Sequence, residues 1–189
     1  MVRSRCTAEV STSPNHRTQN SARYSYAYVR GELAIANIIL DYAVGRWVEK
    51  YRLPVGGDNI LVVLLQASGL EADATLNNYQ FLSDLLAASN NEADFTNYSR
   101  KVLSAADITV TPNTTTGVTT VDIADQVWAS AGGAANNSLG AFLTCYRQTS
   151  STPDSGVLVL SKHDYTQSTT GVNLQATVPS IGTARWSAS

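Results

Sequence analysis

Charged side chains are scarce in this sequence. Asp, Glu, Lys and Arg make up 15% of the 189 residues, against about 25% in a typical soluble domain. Ser, Thr, Asn, Gln and Ala take their places, and such short side chains can be buried against a partner at low desolvation and entropy cost. The composition therefore favours an assembly component, although some secreted β domains share it.

Long apolar runs and a strong net charge are also missing. The net charge is −2, so we expect no bulk attraction to nucleic acid or to an anionic membrane. No stretch reaches the ~18 apolar residues of a membrane span. The opening MVRSRCTAEVSTSPNHR lacks the apolar segment of a signal peptide. We therefore expect a chain that is made and assembled in a cytoplasm.

Few side chains in this sequence are suited to catalysis or to metal binding. Two histidines are present, His16 near the N-terminus and His163 in the stretch SKHDY, for which we predict a surface turn. A Ser-His-Asp triad would need His163, but its neighbour Asp164 would point to the opposite face of a strand. No GxSxG motif is present. The two cysteines, Cys6 and Cys145, lack the spacing of a metal site and are predicted to be free thiols, one exposed and one buried.

Paired carboxylates offer only weak candidates. Asp122 and Asp125 in DIAD could come together at a bulge, but a glycosidase needs two facing carboxylates in a sugar cleft. Glu71 and Asp73 could bind calcium, although their spacing is not that of an EF-hand. No P-loop or dinucleotide fingerprint occurs. We predict no enzymatic activity, no cofactor and no metal site.

The first 31 residues differ in character from the rest. Five arginines and a single acid, Glu9, lie within residues 1–30. Alternation of tyrosines there would place three rings on one side of an extended segment. We predict an extended arm that orders on a neighbouring molecule. Its candidate interaction residues are Arg17, Arg23, Tyr24, Tyr26, Tyr28 and Arg30.

Residues 32–189 are predicted to form one β-rich domain with a leading helix. Apolar residues at helical spacing indicate a helix over 32–51, which includes Ile38, Ile39 and Trp47. The apolar run from Asn59 to Ala67 indicates a central strand buried on both faces. The stretch from Thr75 to Ser89, with Thr75 as a possible cap, indicates a short surface helix or an ordered loop.

Beyond Phe95 the sequence alternates between short strands and turn clusters. The predicted strands are Asn97–Leu103, Asp107–Thr111, Val118–Asp125, Gln126–Ala129, Gly140–Arg147, Val157–Leu160 and Gly171–Val178. PNTTTG at 112–117 predicts a hairpin loop, and the slip in alternation near Ala124 predicts a bulge or corner. Many short strands at this spacing indicate a mainly β fold, an antiparallel sandwich or jelly-roll-like domain.

Five segments in order resemble a family of small virion structural proteins of tailed bacteriophages. They are DNILVVLLQASGL (58–70), YQFLSDLLA (79–87), NYSRKVLSAADITV (97–110), VTTVDIADQVWASAGG (118–133) and LGAFLTCYRQ (139–148). The match covers roughly residues 32–178, and residues 1–31 fall outside it. The resemblance implies a compact β-sandwich-like domain without catalytic residues, in which Leu82 and Val102 are packing residues. The core expected from the patterns and the resemblance is Trp47, Ile60, Val62, Leu64, Phe81, Tyr98, Ile123, Trp128 and Tyr146.

Two placements on a particle fit this resemblance. A capsid decoration or cement protein would use the arm to staple neighbouring subunits. A tail, collar or fibre-attachment component would use it for docking, and Trp186 or the arm tyrosines could stack on carbohydrate. The expected partners are other copies of the chain and phage capsid or tail proteins, in a homo-oligomer within an assembly, rather than nucleic acid or a membrane.

Overall fold

The computed structural model describes residues 38–40, 50, 57–113, 115, 118–177 and 184–187. All of them belong to one unit of the chain, Ala34–Ser189. Its strands are β1 Ile38–Ile39, β2 Asn59–Gln66, β3 Lys101–Leu103, β4 Ile108–Asn113, β5 Val118–Ile123, β6 Gln126–Ala131, β7 Ser138–Arg147, β8 Leu158–Ser168, β9 Val172–Ala176 and β10 Ala184–Ser187. Two short helices, α1 Asp73–Leu76 and α2 Leu82–Ala87, follow β2.

The strands form three antiparallel sheets. Five strands make the main sheet in the order β1-β8-β7-β2-β3, three make a second in the order β10-β5-β4, and β6 pairs with β9. The mainly β, antiparallel fold predicted from the sequence is confirmed. β5 ends at Ile123 and β6 begins at Gln126 in another sheet, so the predicted slip near Ala124 is a corner at which the chain changes sheets.

Each face of the main sheet has its own core. The first core packs β2, β7 and β8 against β5, β6 and β9, with Ile60, Trp128 and Leu174 among its members. The second core lies under the two helices, where Leu76 and Leu85 meet Leu61. Six successive residues of β2, Ile60 to Leu65, are at most 1% exposed. The predicted central strand, buried on both faces, is confirmed.

The predicted helix over residues 32–51 is wrong at Ile38–Ile39. These two residues form β1, antiparallel to β8 at Lys162 and Ser161. Leu40 extends the pairing, because its N–H donates to the Leu160 carbonyl at 3.2 Å, and its side chain is fully buried. Pairing with a sheet edge supplies backbone partners that outweigh the local helical pattern. Lys50 is helical; residues 32–37, 41–49 and 51 lie outside the described residues.

Most of the expected core residues lie in the interior. Ile60, Val62, Leu64, Ile123, Trp128 and Tyr146 are buried. Tyr98 is half-buried against the first core, and Phe81 is half-buried beside α2. Leu82 is fully buried, whereas Val102 is 55% exposed, so its assignment as a packing residue is wrong. Val102 lies on β3, an edge strand, where one of the two side-chain directions lacks a covering layer.

The stretch from Thr75 to Ser89 contains α2 and part of α1. Thr75 lies inside α1, and Ala72 occupies the N-cap position without a side-chain cap bond. The suggested capping role of Thr75 is therefore wrong. Leu82 and Leu85 of α2 are fully buried, so this segment covers the main sheet.

Candidate functional site

A row of neutral polar side chains runs through the first core. The imidazole Nε2 of His163 lies 2.9 Å from Ser161 Oγ, which lies 2.5 Å from Thr144 Oγ1. The His163 ring stacks on Phe142, with ring centroids 4.6 Å apart. His163 is only 2% exposed, so the predicted surface turn is wrong. Its Nδ1 is buried without a hydrogen-bond partner.

Burial controls the protonation of this histidine. It lowers the pKa of His163 to about 4, and the nearby positive charge of Lys162 adds to the effect. The imidazole is therefore neutral at neutral pH. Asp164 lies opposite Ala141 in the ladder, whereas His163 lies opposite Phe142, so the two side chains leave opposite faces of β8. Ser161 and His163 are closed off from solvent, and the structure does not bring Asp164 to them as a third triad member.

The ammonium group of Lys162 lies at the rim of the second core. Its side chain is 4% exposed, and Nζ donates to Asp73 Oδ1 at 2.7 Å and to Asp164. Burial acts to lower the pKa of Lys162, but the hydrogen bonds to Asp164 and Asp73 raise it above its ordinary value. The bridge ties α1 to β8.

The weak calcium candidates serve as structural ties instead. Asp73 is bound to Lys162, and Glu71 Oε2 accepts from the Tyr79 hydroxyl at 2.9 Å and from Asn90 Nδ2 at 2.7 Å. Within the described residues, no group of three or more His, Cys, Asp or Glu side chains could hold a metal ion.

Arg100 joins two acidic segments by paired hydrogen bonds. Its guanidinium binds Glu92 at 2.7 and 2.6 Å, and Asp154 at 2.6 and 2.8 Å. The Tyr98 hydroxyl adds a bond to Glu92 Oε1 at 2.8 Å. Hydrogen bonding to Arg100 lowers the pKa of the Asp154 carboxyl. This clamp links the segment before β3 to the loop after β7.

The carboxylates nominated from DIAD occupy the corner between two sheets. Asp122 lies in β5 opposite Thr109, and Asp125 Oδ2 accepts from Gln175 Nε2 of β9 at 2.9 Å. Asp125 thus links the corner to β9. Nothing in this geometry reproduces two carboxylates that face each other across a sugar cleft.

Cys145 and Tyr146 occupy successive positions of β7. Cys145 is a buried free thiol, as predicted, and burial raises its pKa. The hydroxyl of Tyr146 donates to Asp58 Oδ2 at 2.5 Å, and Lys50 Nζ lies 4.4 Å from the centroid of the tyrosine ring. The hydrogen bond to Asp58 anchors the end of β7 to the start of β2.

Three loops are joined at one end of the body: residues 94–97, 132–138 and 168–171. We call them the loop end. Asn137 Oδ1 accepts from the N–H groups of Asp94 and Phe95 at 2.9 and 3.0 Å. Thr169 Oγ1 accepts from the N–H of Asn137 at 2.8 Å. The loop end is therefore held by amide, hydroxyl and backbone groups together with the Asp94 carboxylate, which accepts from Asn137 Nδ2 at 2.8 Å.

A shallow cleft adjoins the loop end. We call it the β8–β9 cleft, because it lies between the last residues of β8 and the strand β9. Its lining residues are Tyr165, Gln167, Ser168, Thr169, Thr170, Val172, Asn173, Leu174 and Gln175. Sequence reasoning missed this cleft, since neutral polar residues in a strand and turn carry no distinctive motif.

The predicted arm residues, Arg17, Arg23, Tyr24, Tyr26, Tyr28 and Arg30, lie outside the described residues, as do Trp47, Cys6 and His16. Trp186 lies on β10, opposite Thr119 of β5. Within the described part of the chain, no helix is long and apolar enough to cross a membrane.

Comparisons with protein-family models, with curated protein sequences and with solved structures find no match for this chain.

Proposed function

We propose that this chain is a structural protein of a tailed-phage virion, a capsid decoration or cement protein that packs on neighbouring subunits. The proposal rests on one observation: the charged side chains of Lys162 and Arg100 form ion pairs within the protein. Lys162 holds two carboxylates, and Arg100 holds two more from distant segments. Such ties suit a body that keeps its shape within an assembly. The assignment to a phage particle rests on the resemblance of the five ordered segments to small virion structural proteins of tailed bacteriophages.

Opposite charges support an arm that staples neighbours. Residues 1–30 contain five arginines and one acid, whereas residues 57–177 contain eleven Asp and Glu against four Lys and Arg. The arm of one copy is therefore attracted to the body of another. Ordering it costs roughly 1–2 kcal/mol per residue in backbone entropy. Burial of the arm tyrosines offsets part of this cost, because each ring contributes apolar area and keeps a hydroxyl for hydrogen bonding.

The second candidate is a tail, collar or fibre-attachment component with carbohydrate or receptor binding. The β8–β9 cleft beside the loop end favours it, because concave sites on rigid loops commonly bind ligands.

Images of intact particles test both placements. Averaged density of wild-type virions is compared with that of virions lacking this protein. Loss of density from the capsid lattice supports the decoration role, and loss confined to the tail or neck supports the attachment role. Identical density in the two preparations would contradict both.

The arm is tested by truncation. Deletion of residues 2–30 is expected to leave the body folded, as checked by circular dichroism, and to abolish binding to particles that lack the protein. The matched control is a full-length chain with its five arm arginines changed to glutamine, for which binding weakens and loses its salt dependence. Normal particle binding by the truncated chain would rule out the stapling arm.

A further inference from the structure

The β8–β9 cleft has the size of a site for one small ring. Its volume is about 200 Å³, below the ~300–1,000 Å³ of sites for drug-sized ligands.

The side chains that line the cleft favour a neutral ligand. None of its nine residues is Asp, Glu, Lys, Arg or His. Amide and hydroxyl side chains, such as Gln167 and Thr170, supply donors and acceptors, while the exposed Val172 and the half-buried Tyr165 supply a smaller apolar surface. A pyranose ring matches this combination, because it carries hydroxyls at its edge and C–H groups on its faces.

The walls of the cleft are held in place before any ligand arrives. The Tyr165 hydroxyl donates to the Gln175 carbonyl at 2.7 Å and thereby joins the two strands. Asn173 Oδ1 accepts from the N–H of Ser130 at 3.0 Å, and Ser130 has a φ of 48°, a conformation uncommon for serine. Gly171, with a φ of 91°, makes the turn between the strands. A site with fixed walls loses little conformational entropy on binding.

We propose that the β8–β9 cleft binds a single residue of a neutral carbohydrate, with the ring against Val172 and Tyr165 and the hydroxyls on the amide and hydroxyl side chains. Val172 is 67% exposed, and Gln167 and Thr170 are exposed beside it, so a sugar residue within a longer glycan can reach them. The inference rests on the second candidate function and names the class of its ligand. It is independent of the decoration role, so a failed titration leaves that role standing.

The test is a nuclear magnetic resonance titration of the full 189-residue chain with glucose, galactose and N-acetylglucosamine, each up to about 50 mM. Half-saturation near ~1–10 mM is expected for at least one of them, because the open site covers only part of the ring. Amide shifts should concentrate in residues 165–175. Glucosamine and glucuronate serve as charged probes, and we expect at least three-fold weaker binding for them.

Two exposed valines provide a matched pair of variants. Val172→Glu removes an apolar wall and places a charge in the cleft, so binding should fall at least ten-fold. Val127→Glu changes a residue that is 44% exposed on the neighbouring β6, outside the lining, and should leave the affinity unchanged. The absence of localised shifts with all three neutral sugars would overturn the proposal. So would equal binding of the charged probes, or equal effects of the two substitutions.

Discussion

The two faces of the five-stranded sheet bury polar groups in different ways. On the face toward β5, β6 and β9, the interior holds the neutral row of Thr144, Ser161 and His163. On the face under the helices, Lys162 is charged and binds Asp73 and Asp164. The row lies in the interior between strands, whereas the two carboxylates at the rim remain about one-third exposed.

This difference follows from the access of water to each face. A charge costs least to bury where its partners keep part of their hydration. The carboxylates of Asp73 and Asp164 remain about one-third exposed, so the Lys162 ion pair has solvent beside it. Deep between the sheets an ion would be fully desolvated, and neutral hydroxyls and a neutral imidazole take its place. Lys162 and His163, neighbours on β8, are therefore buried in different ways: the first is charged and ion-paired, and the second is neutral.

The largest expected loss of stability comes from the first core, on the face toward β5, β6 and β9. Trp128 is 1% exposed, and its Nε1 donates to the Ser99 carbonyl at 2.8 Å. Trp128→Ala is expected to reduce the free energy of unfolding by about 3–5 kcal/mol. Leu85→Ala, under the helices, removes a smaller side chain and should cost about 2–4 kcal/mol. Urea unfolding compares them, and a larger loss for Leu85→Ala would reverse the ranking of the two cores.

Lowering the pH should destabilise the first core, because His163 becomes protonated. The unfolded chain binds a proton near pH 6.5, whereas the folded state does so only near pH 4. The stability gained from the neutral imidazole is complete above about pH 6.5 and is lost as the pH falls toward 4. We expect a loss of roughly 2–4 kcal/mol over this range.

Unfolding at pH 7.5, 6, 5 and 4 measures this effect. His163→Leu should lack that part of the pH dependence, whereas His16→Leu, in the predicted arm, should retain it. If wild type and His163→Leu lose stability in parallel between pH 6.5 and 4, the buried histidine does not govern the acid response.

A smaller effect is expected at the Arg100 clamp. Lysine cannot form two paired contacts at once, so Arg100→Lys should destabilise the fold by about 1–2 kcal/mol, a modest figure because the groups are partly exposed. Arg147→Lys is the control, because Arg147 Nε makes one bond to Asn59 Oδ1 at 2.9 Å; its expected cost is below about 0.5 kcal/mol. Equal losses in thermal unfolding would show that the paired geometry adds nothing.

The smallest effect is expected at Val102. Because this side chain is 55% exposed, Val102→Thr should change the free energy of unfolding by less than about 0.5 kcal/mol. The buried neighbour Leu103, 1% exposed, should lose about 2–4 kcal/mol on substitution by alanine. A large loss for Val102→Thr would mean that a further layer covers this edge.

The sequence predicted the fold best where a strand is buried on both of its faces. The run over Ile60–Leu65 is apolar throughout and too short for most helices, which is typical of a strand covered on both faces. At Ile38–Ile39 the apolar spacing favours a helix, but the partner strand β8 lies more than 120 residues away in sequence. Local periodicity holds no information about such a partner.

The candidate sites were less predictable than the fold. His163 lies in the polar stretch SKHDY, which is typical of a turn, yet β8 carries that stretch into the interior. The β8–β9 cleft consists of residues that are common in any exposed turn, and only their arrangement around Tyr165 and Gln175 makes a concave surface.

The sequence by itself determined the mainly β character, the central strand β2, the hairpin of β4 and β5 and the corner at Ala124, because side-chain alternation and turn chemistry are local properties. Only the tertiary structure decided that β1 pairs with β8, that His163 is neutral inside one core and that Lys162 is paired at the rim of the other. The first outcome depends on a partner strand that is remote in sequence. The other two depend on how far water reaches into the packed layers, which segments remote in sequence also set.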